Sequence, residues 1–394
     1  MKVKTNLFAS RTNWELTRNR LAACLDALRE AGADILDLTE SNPTRCGFKC
    51  FTRELLAELA NPKNLNYEPS PKGLLEAREA VKNYYREKGI LVSAEQIFLT
   101  ASTSEAYSAL FRLLANPGER ILVPQPSYPL FNFLADLNDI TLDPYFLRYD
   151  EVWRIDTDHL ARSCISETRA IILVHPNHPT GSFVKRSEFL ELVKLAKQMP
   201  LAVISDEVFS DYDLGGGSGR MISAAETNEI LTFTLGGISK ALGLPQMKLG
   251  WIIVNGPEAF MEEAGKRLEV ILDTYLSVST PIQTALPSWF LLRSEIQQEI
   301  KTRIKENHNF LRKQLGVSPP ASLLHTEGGW YAVLKLPKTK SEEEWALEFL
   351  AKDRVLVHPG YFFDFQEEAY VVLSLIPPLK IFQEGIKRIL QRSA

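Results

Sequence analysis

Thr234-Leu-Gly-Gly-Ile-Ser-Lys240-Ala-Leu-Gly-Leu-Pro-Gln-Met-Lys248-Leu-Gly-Trp251 is the stretch on which the reading of this chain turns. It sets one lysine directly after a serine, between an apolar run and a loop punctuated by Gly and Pro. A second cation follows eight residues on. A chain that holds an aldehyde cofactor as a Schiff base needs a lysine so placed, with cations and hydroxyls facing the cofactor's phosphate. The spacing predicts Lys240 as covalent anchor, with Ser239 and Lys248 turned to the anion.

Outward from this stretch, short β-rich runs alternate with helical ones. The pattern predicts strands near 97–100, 120–123, 170–174, 201–205, 229–234 and 249–254, with helices over 104–114 and 185–197. Buried-looking strands separated by helices predict an α/β fold with a doubly wound, mostly parallel sheet. In such sheets ligands sit outside the carboxyl ends of the strands. The flanks read differently, with long helices over 11–31 and 287–315, a helix near 341–352, and apolar runs at 330–336 and 370–375. We expect a large domain over 46–285 and a smaller α+β domain built from 1–45 and 286–394. Gly215-Gly-Gly-Ser-Gly219 reads as a surface loop, because neither a strand nor a Lys-Ser/Thr pair frames it as a phosphate cradle.

Composition narrows the partners. A chain of 394 residues, 45% of them hydrophobic, can bury one large core and more readily two. Its net charge of −4 shows no basic excess, which argues against nucleic acid. No window approaches the ~18–20 apolar residues of a membrane span. The charged N-terminus lacks an unbroken apolar region, so a cytoplasmic protein is expected. Cys46 and Cys50 lie four apart, but no second pair completes a metal-ligand pattern, and reduced thiols are the simpler reading of all four cysteines.

Five segments fall at predicted strand ends, and each supplies a different requirement of one site. In Thr100-Ala-Ser-Thr-Ser-Glu-Ala106, Ser102 and Glu105 have capping-box spacing, so free N–H groups of a helix N-terminus face forward, where a phosphate gains hydrogen bonds and dipole. A plain helix cap reads equally well for that segment alone. Tyr128, between Pro126 and Pro129, offers a ring to stack on a planar ligand, or is a packed loop residue. His175-Pro-Asn-His-Pro-Thr-Gly181 offers Asn177 and His178 as donors toward a phenolate oxygen. Asp206 ends a buried strand, where an acid is costly unless paired; a protonated pyridine nitrogen would repay it, though a lone strand-end acid is more often a cap. Lys240 follows 34 residues later. The five in this order specify far more than any one.

On these motifs the chain resembles the class I/II aminotransferases, fold-type I enzymes that use pyridoxal 5'-phosphate, from about Ile35 to the C-terminus. The resemblance implies Lys240 as the Schiff-base lysine, Asp206 as the partner of the pyridine nitrogen and Tyr128 as the stacking ring. Ser102, Thr103, Ser239 and Lys248 resemble the phosphate cup, and His178-Pro-Thr-Gly181 resembles an Asn-Pro-Thr-Gly motif. Tyr67, in Asn66-Tyr-Glu-Pro, matches the tyrosine lent to a neighbouring subunit's site, which implies a homodimer. The implied reaction moves an amino group from an L-amino acid to a 2-oxo acid by a ping-pong cycle. Carbon–sulfur lyases, racemases and decarboxylases of the same fold use the same constellation. Some regulators carry it as a non-catalytic sensor domain, but those place a helix-turn-helix segment first, and only about forty residues precede the motifs here.

Several positions depart from the pattern. His178 stands where the family has asparagine, Phe209 where it has tyrosine, Lys248 where it has arginine and Gly237 where it has serine. The loss of a phenol at 209 and the gain of an imidazole at 178 are linked in this reading, His178 taking over hydrogen bonding to the phenolate oxygen; the alternative is a neutral packing change at 209. Near the C-terminus, Val372 occupies the position of the arginine that clamps the substrate carboxylate. Arg45, with Ser41 and Asn42, is the candidate substitute from the opposite side, or else a solvated loop residue.

Overall fold

The computed structural model describes residues 7–215, 219–316 and 321–394. Residues 216–218 of the glycine-rich loop lie outside them. Eight strands build the central sheet: β1 (Ile97–Thr100), β2 (Arg120–Gln125), β3 (Thr141–Asp150), β4 (Val152–Ile155), β5 (Thr168–Val174), β6 (Ala202–Asp206), β7 (Thr232–Gly237) and β8 (Gly250–Asn255). Their order is β1-β8-β7-β6-β5-β2-β3-β4. Strands β7, β6, β5, β2 and β3 run parallel, β8 runs against both its neighbours, and β4 turns back on β3. The expected doubly wound, mostly parallel sheet is therefore present.

Strand residues alternate between two apolar cores. Leu122, Ile171, Leu173 and Val203 join one, while Ile121, Ile172, Ile204 and Phe233 join the other. Burial on both faces explains why these strands read as unbroken apolar runs. Register then decides what the sheet edge presents. Val174 pairs with Asp206, Asp206 with Leu235, and Gly250 with both Gly237 and Thr100. The loops that follow β1, β2, β5, β6 and β7 thus open side by side.

A second, antiparallel sheet comprises β9 (Ser322–Leu323), β10 (Tyr331–Lys335), β11 (His358–Pro359) and β12 (Tyr370–Ser374), in the order β9-β10-β12-β11. The chain's two ends meet beside it. Leu36–Asp37 pairs in parallel with Val355–Leu356, and the carbonyl of buried Leu38 accepts from Ser374 N at 2.7 Å. No helix among the described residues is long and apolar enough to cross a membrane.

Three elements differ from the sequence reading. The helix expected over 11–31 is Arg20–Glu30, because Asn19 caps it by accepting from Ala22 N at 2.8 Å. Among the described residues only a short 3-10 turn, Ser10–Thr12, precedes it. The helix expected over 287–315 is two, Thr280–Leu291 and Arg293–Leu315, meeting at Leu292. Pro281 is the true start signal. Pro287 lies in the first helix's interior, where its missing N–H forgoes one intrahelical bond. Strand β7 begins three residues later than the 229–234 expectation and includes both glycines. Gly236 belongs there because a Cβ would stand 2.5 Å from the Trp251 ring.

Candidate active site

The strand ends open into one cavity of about 300 Å³. Eight residues assigned to the cofactor from the sequence line it: Ser102 and Thr103 after β1, Tyr128 after β2, His178 after β5, Asp206 on β6, Ser239 and Lys240 after β7, and Lys248 before β8. Phe209, Gly237 and Tyr331 also form part of the wall.

Lys240 Nζ lies 4.7 Å from the Trp330 ring centroid and 5.2 Å from that of Phe209. Burial pulls its pKa down to about 8, against the opposing pull of the Asp206 charge. Desolvation wins because ring faces replace little of the hydration an ammonium loses. Asp206 is itself pushed up to about 6 by burial. Its Oδ1 accepts from Val208 N at 3.1 Å and its Oδ2 from the Tyr107 hydroxyl at 3.0 Å. Tyr107 escaped the sequence reading. It stands four residues after Thr103, hence on the same helix face, and that spacing was the available signal.

His178 sits among rings, 4.1 Å from Tyr331, 5.7 Å from Tyr128 and 6.0 Å from Phe209 by centroids. Burial first, and then the Lys240 charge, drives its pKa down to about 3, so the imidazole is neutral. Its buried Nδ1 has no hydrogen-bond partner among the described residues. Asn177, offered with it as a donor, is instead turned away, tying its own loop to the one after β2. The Asn177 amide donates to Pro126 O at 3.3 Å and accepts from the Thr180 hydroxyl at 2.9 Å.

Helix Thr103–Leu114 opens at the cavity's floor. Ser102 Oγ accepts from Glu105 N at 3.1 Å, while the Glu105 carboxylate reaches back to Ala101 N, one residue beyond the expected capping box. The amides of Thr103 and Ser104 precede the first helical bond, Ala106 N to Ser102 O at 3.0 Å. Gly250 lets β8 pass this turn, since a Cβ there would meet Thr103 N and Ser102 C at 3.1 Å. Lys248 holds its place with a left-handed backbone, φ 55°.

The remaining predicted residues lie elsewhere. Tyr67 is 69% exposed and does not line the cavity. The Arg45 side chain, 74% exposed, stands 3.8 Å from Glu40. Asn42 caps its own turn by accepting from Thr44 N at 3.1 Å. Ser41 lies near enough to Tyr331 to oppose slightly the rise that burial gives that phenol's pKa. Val372 is buried in β12 between Val333 and His358.

Fold and cavity together define a fold-type I α/β protein. The sequence pattern of the family described as aminotransferase class I and II matches residues 33–373. The chain is 28% identical over 369 residues to glutamate-pyruvate aminotransferase AlaA of Haemophilus influenzae, covering 92% of this chain and 91% of that one. It is 30% identical over 270 residues to an S-alkyl-thiohydroximate lyase of Arabidopsis thaliana, 66% of this chain and 57% of that protein. The solved structure of an alanine aminotransferase from Pyrococcus furiosus shares the fold, with a TM-score of 0.88 at 24% identity over 98% of this chain and 99% of that one. The chain belongs to the class I and II aminotransferases.

Proposed function

We propose that this aminotransferase works with pyridoxal 5'-phosphate, moving an amino group from an L-amino acid to a 2-oxo acid in a ping-pong cycle, with Lys240 and Asp206 as its catalytic residues. One observation carries the reading: a half-buried lysine with its pKa at about 8 shares a single cavity with a buried carboxylate and a helix N-terminus. The residues fit the cofactor. His178 Nδ1 is an orphaned buried atom at the cavity wall, and Gly250 leaves room where a side chain would close the cradle.

When bound, pyridoxal phosphate supplies an electrophilic carbon and an electron-accepting ring. The protein's part follows from its own geometry. Thr103 and Ser104 amides, the Ser102 and Ser239 hydroxyls and the Lys248 ammonium would hold the phosphate. Tyr128 would stack on the ring, Asp206 would face its nitrogen, and His178 would face its phenolate oxygen. Lys240 Nζ, with its pKa at about 8, is placed to take a proton from the substrate's Cα and would deliver it to the electrophilic carbon that the cofactor supplies. Trp330 and Tyr331, brought by the smaller domain of residues 1–45 and 286–394, exclude water from that amine. Arg45, Ser41 and Asn42 are the residues we assign to the substrate carboxylate, and exposed Tyr67 to the neighbouring site of a cytoplasmic homodimer.

The test is a spectral screen of purified protein reconstituted with the cofactor, followed by borohydride reduction and peptide mapping. The label is expected on Lys240, and L-glutamate with pyruvate is the first pair to assay. Lys240→Ala is expected to lose all turnover. A label on another lysine, or 2-oxo acid and ammonia released without an acceptor, would replace this reading, the second with that of a lyase.

A further inference from the structure

The helix that carries Lys240, Ile238–Ala241, is four residues long. A single turn cannot hold its own shape, because one hydrogen bond does not offset the ordering of its residues. Its last carbonyls also lack partners within the helix. Besides the Gly243 N–H, which reaches Lys240 O at 3.4 Å, two side chains from distant segments fill that gap. The Tyr212 hydroxyl donates to Lys240 O at 2.6 Å, and Gln297 Nε2 donates to Ala241 O at 2.9 Å. The same Gln297 nitrogen donates to Asp211 Oδ2 at 2.9 Å. The Asp211 carboxylate, its side chain 7% exposed, accepts from the Tyr84 hydroxyl at 2.8 Å and pairs with Lys88 at 3.0 Å. The Tyr212 ring stands edge-on to Trp330 at 5.0 Å.

The amine itself has no such tether. Among the described residues no group hydrogen-bonds Lys240 Nζ, whose surroundings are ring faces. Its aim is therefore set by the backbone behind it. We propose that Tyr212 and Gln297 are positioning residues for the reaction, a two-point clamp on the carbonyls of Lys240 and Ala241 that fixes the direction of the lysine, with Asp211 and Lys88 anchoring the clamp. The proposal rests on the reading of Lys240 as the reacting amine. A long side chain magnifies any tilt at its Cα, and misplacing a reacting group by about 1 Å costs on the order of 100-fold in rate.

The test compares Tyr212→Phe and Gln297→Met with Tyr145→Phe, which deletes a buried hydroxyl donating to Ile172 O at 2.8 Å away from the cavity. In the holoenzyme, both clamp variants are expected to lower kcat at least tenfold with KM within twofold. The midpoint of the cofactor's absorbance titration should move by half a pH unit or more, and Tyr145→Phe should move neither. In the apoprotein, amide hydrogen exchange over residues 238–244 should accelerate in both clamp variants only. Clamp variants with lower thermal stability but unchanged kcat and titration would overturn the proposal, as would an equal kcat loss in Tyr145→Phe. Wild type that takes up no cofactor would refute the assigned function instead. The exchange measurement, which needs no cofactor, would then decide the clamp alone, and unchanged exchange would overturn it.

Discussion

At position 178 a neutral imidazole replaces an amide, and its setting explains what that does. The ring is closed in by Tyr331, Tyr128 and Phe209, none of which hydrogen-bonds its Nδ1. Phe209 has no hydroxyl to offer the cavity, so the polar work on that side falls to His178. A residue with its pKa near 3 stays uncharged throughout the working range, one ring nitrogen donating and the other accepting. Replacing it should therefore change the proton affinity of the bound cofactor without changing net charge. His178→Asn is expected to move the absorbance titration of the holoenzyme by half a pH unit or more, and Phe209→Tyr in the variant should move it part of the way back. An unchanged titration in His178→Asn would mean that the imidazole only packs.

Among elements, the loop after β5 and the approach to β10 are joined by a buried ion pair. Lys185 Nζ lies 2.6 Å from Glu327 Oε2, which also accepts from Phe183 N at 2.8 Å. Both side chains are less than a tenth exposed. Removing one member leaves an uncompensated charge, so Lys185→Met is expected to cost about 3–5 kcal/mol in urea unfolding. Lys185→Met with Glu327→Gln should recover most of that, since the amide oxygen still accepts from Phe183. A cost below about 1 kcal/mol in the single variant would show the pair to be idle. This pair joins residues 142 apart, which marks the limit of what the sequence could disclose. Lys240, Asp206, Tyr128 and Ser102 were legible because each follows its own apolar run, where local pattern and chemistry coincide. Tyr107, Tyr212 and Gln297 were not, because their roles arise from contacts that only the packed sheet creates. Helix ends failed in the same way. Periodicity signalled a helix upstream of Arg20 and across Leu292, but the Asn19 cap set the first start, and the second helix begins at Thr280 with Pro281 in its first turn and breaks at Leu292. Gly236 and Gly237 fall past the strand end expected at 234, although Gly236 is the residue that leaves room for the Trp251 ring.

For the molecule as a whole, stability should weaken in acid. His175 and His178 have pKa values brought down to about 3, and His308 and His358 to about 4, in each case chiefly by burial. The unfolded chain binds protons at these four sites below about pH 6.5 while the native chain does not, so each costs stability as pH falls. Asp206 and Glu207 act in the opposite sense, because burial raises them to about 6 and about 7, and the native chain keeps protons that the unfolded one has lost. Between pH 6 and 5 the difference is two protons, about 3 kcal/mol per pH unit as an upper bound. The apoprotein should therefore lose several degrees of melting temperature across that unit, measured by calorimetry. A flat or rising profile would mean that the buried histidines are not neutral. The segment Glu327–Tyr331 carries a last consequence. It is tied to Lys185 by its first residue and to Tyr212 O by Gly329 N at 2.7 Å, and its two aromatic rings touch Lys240 and His178. A fragment cut to residues 46–285 would keep the lysine but lose that wall. Water would flood in, and the amine would drift back toward the basicity of any surface lysine, so the reactivity of one side chain belongs to the entire polypeptide.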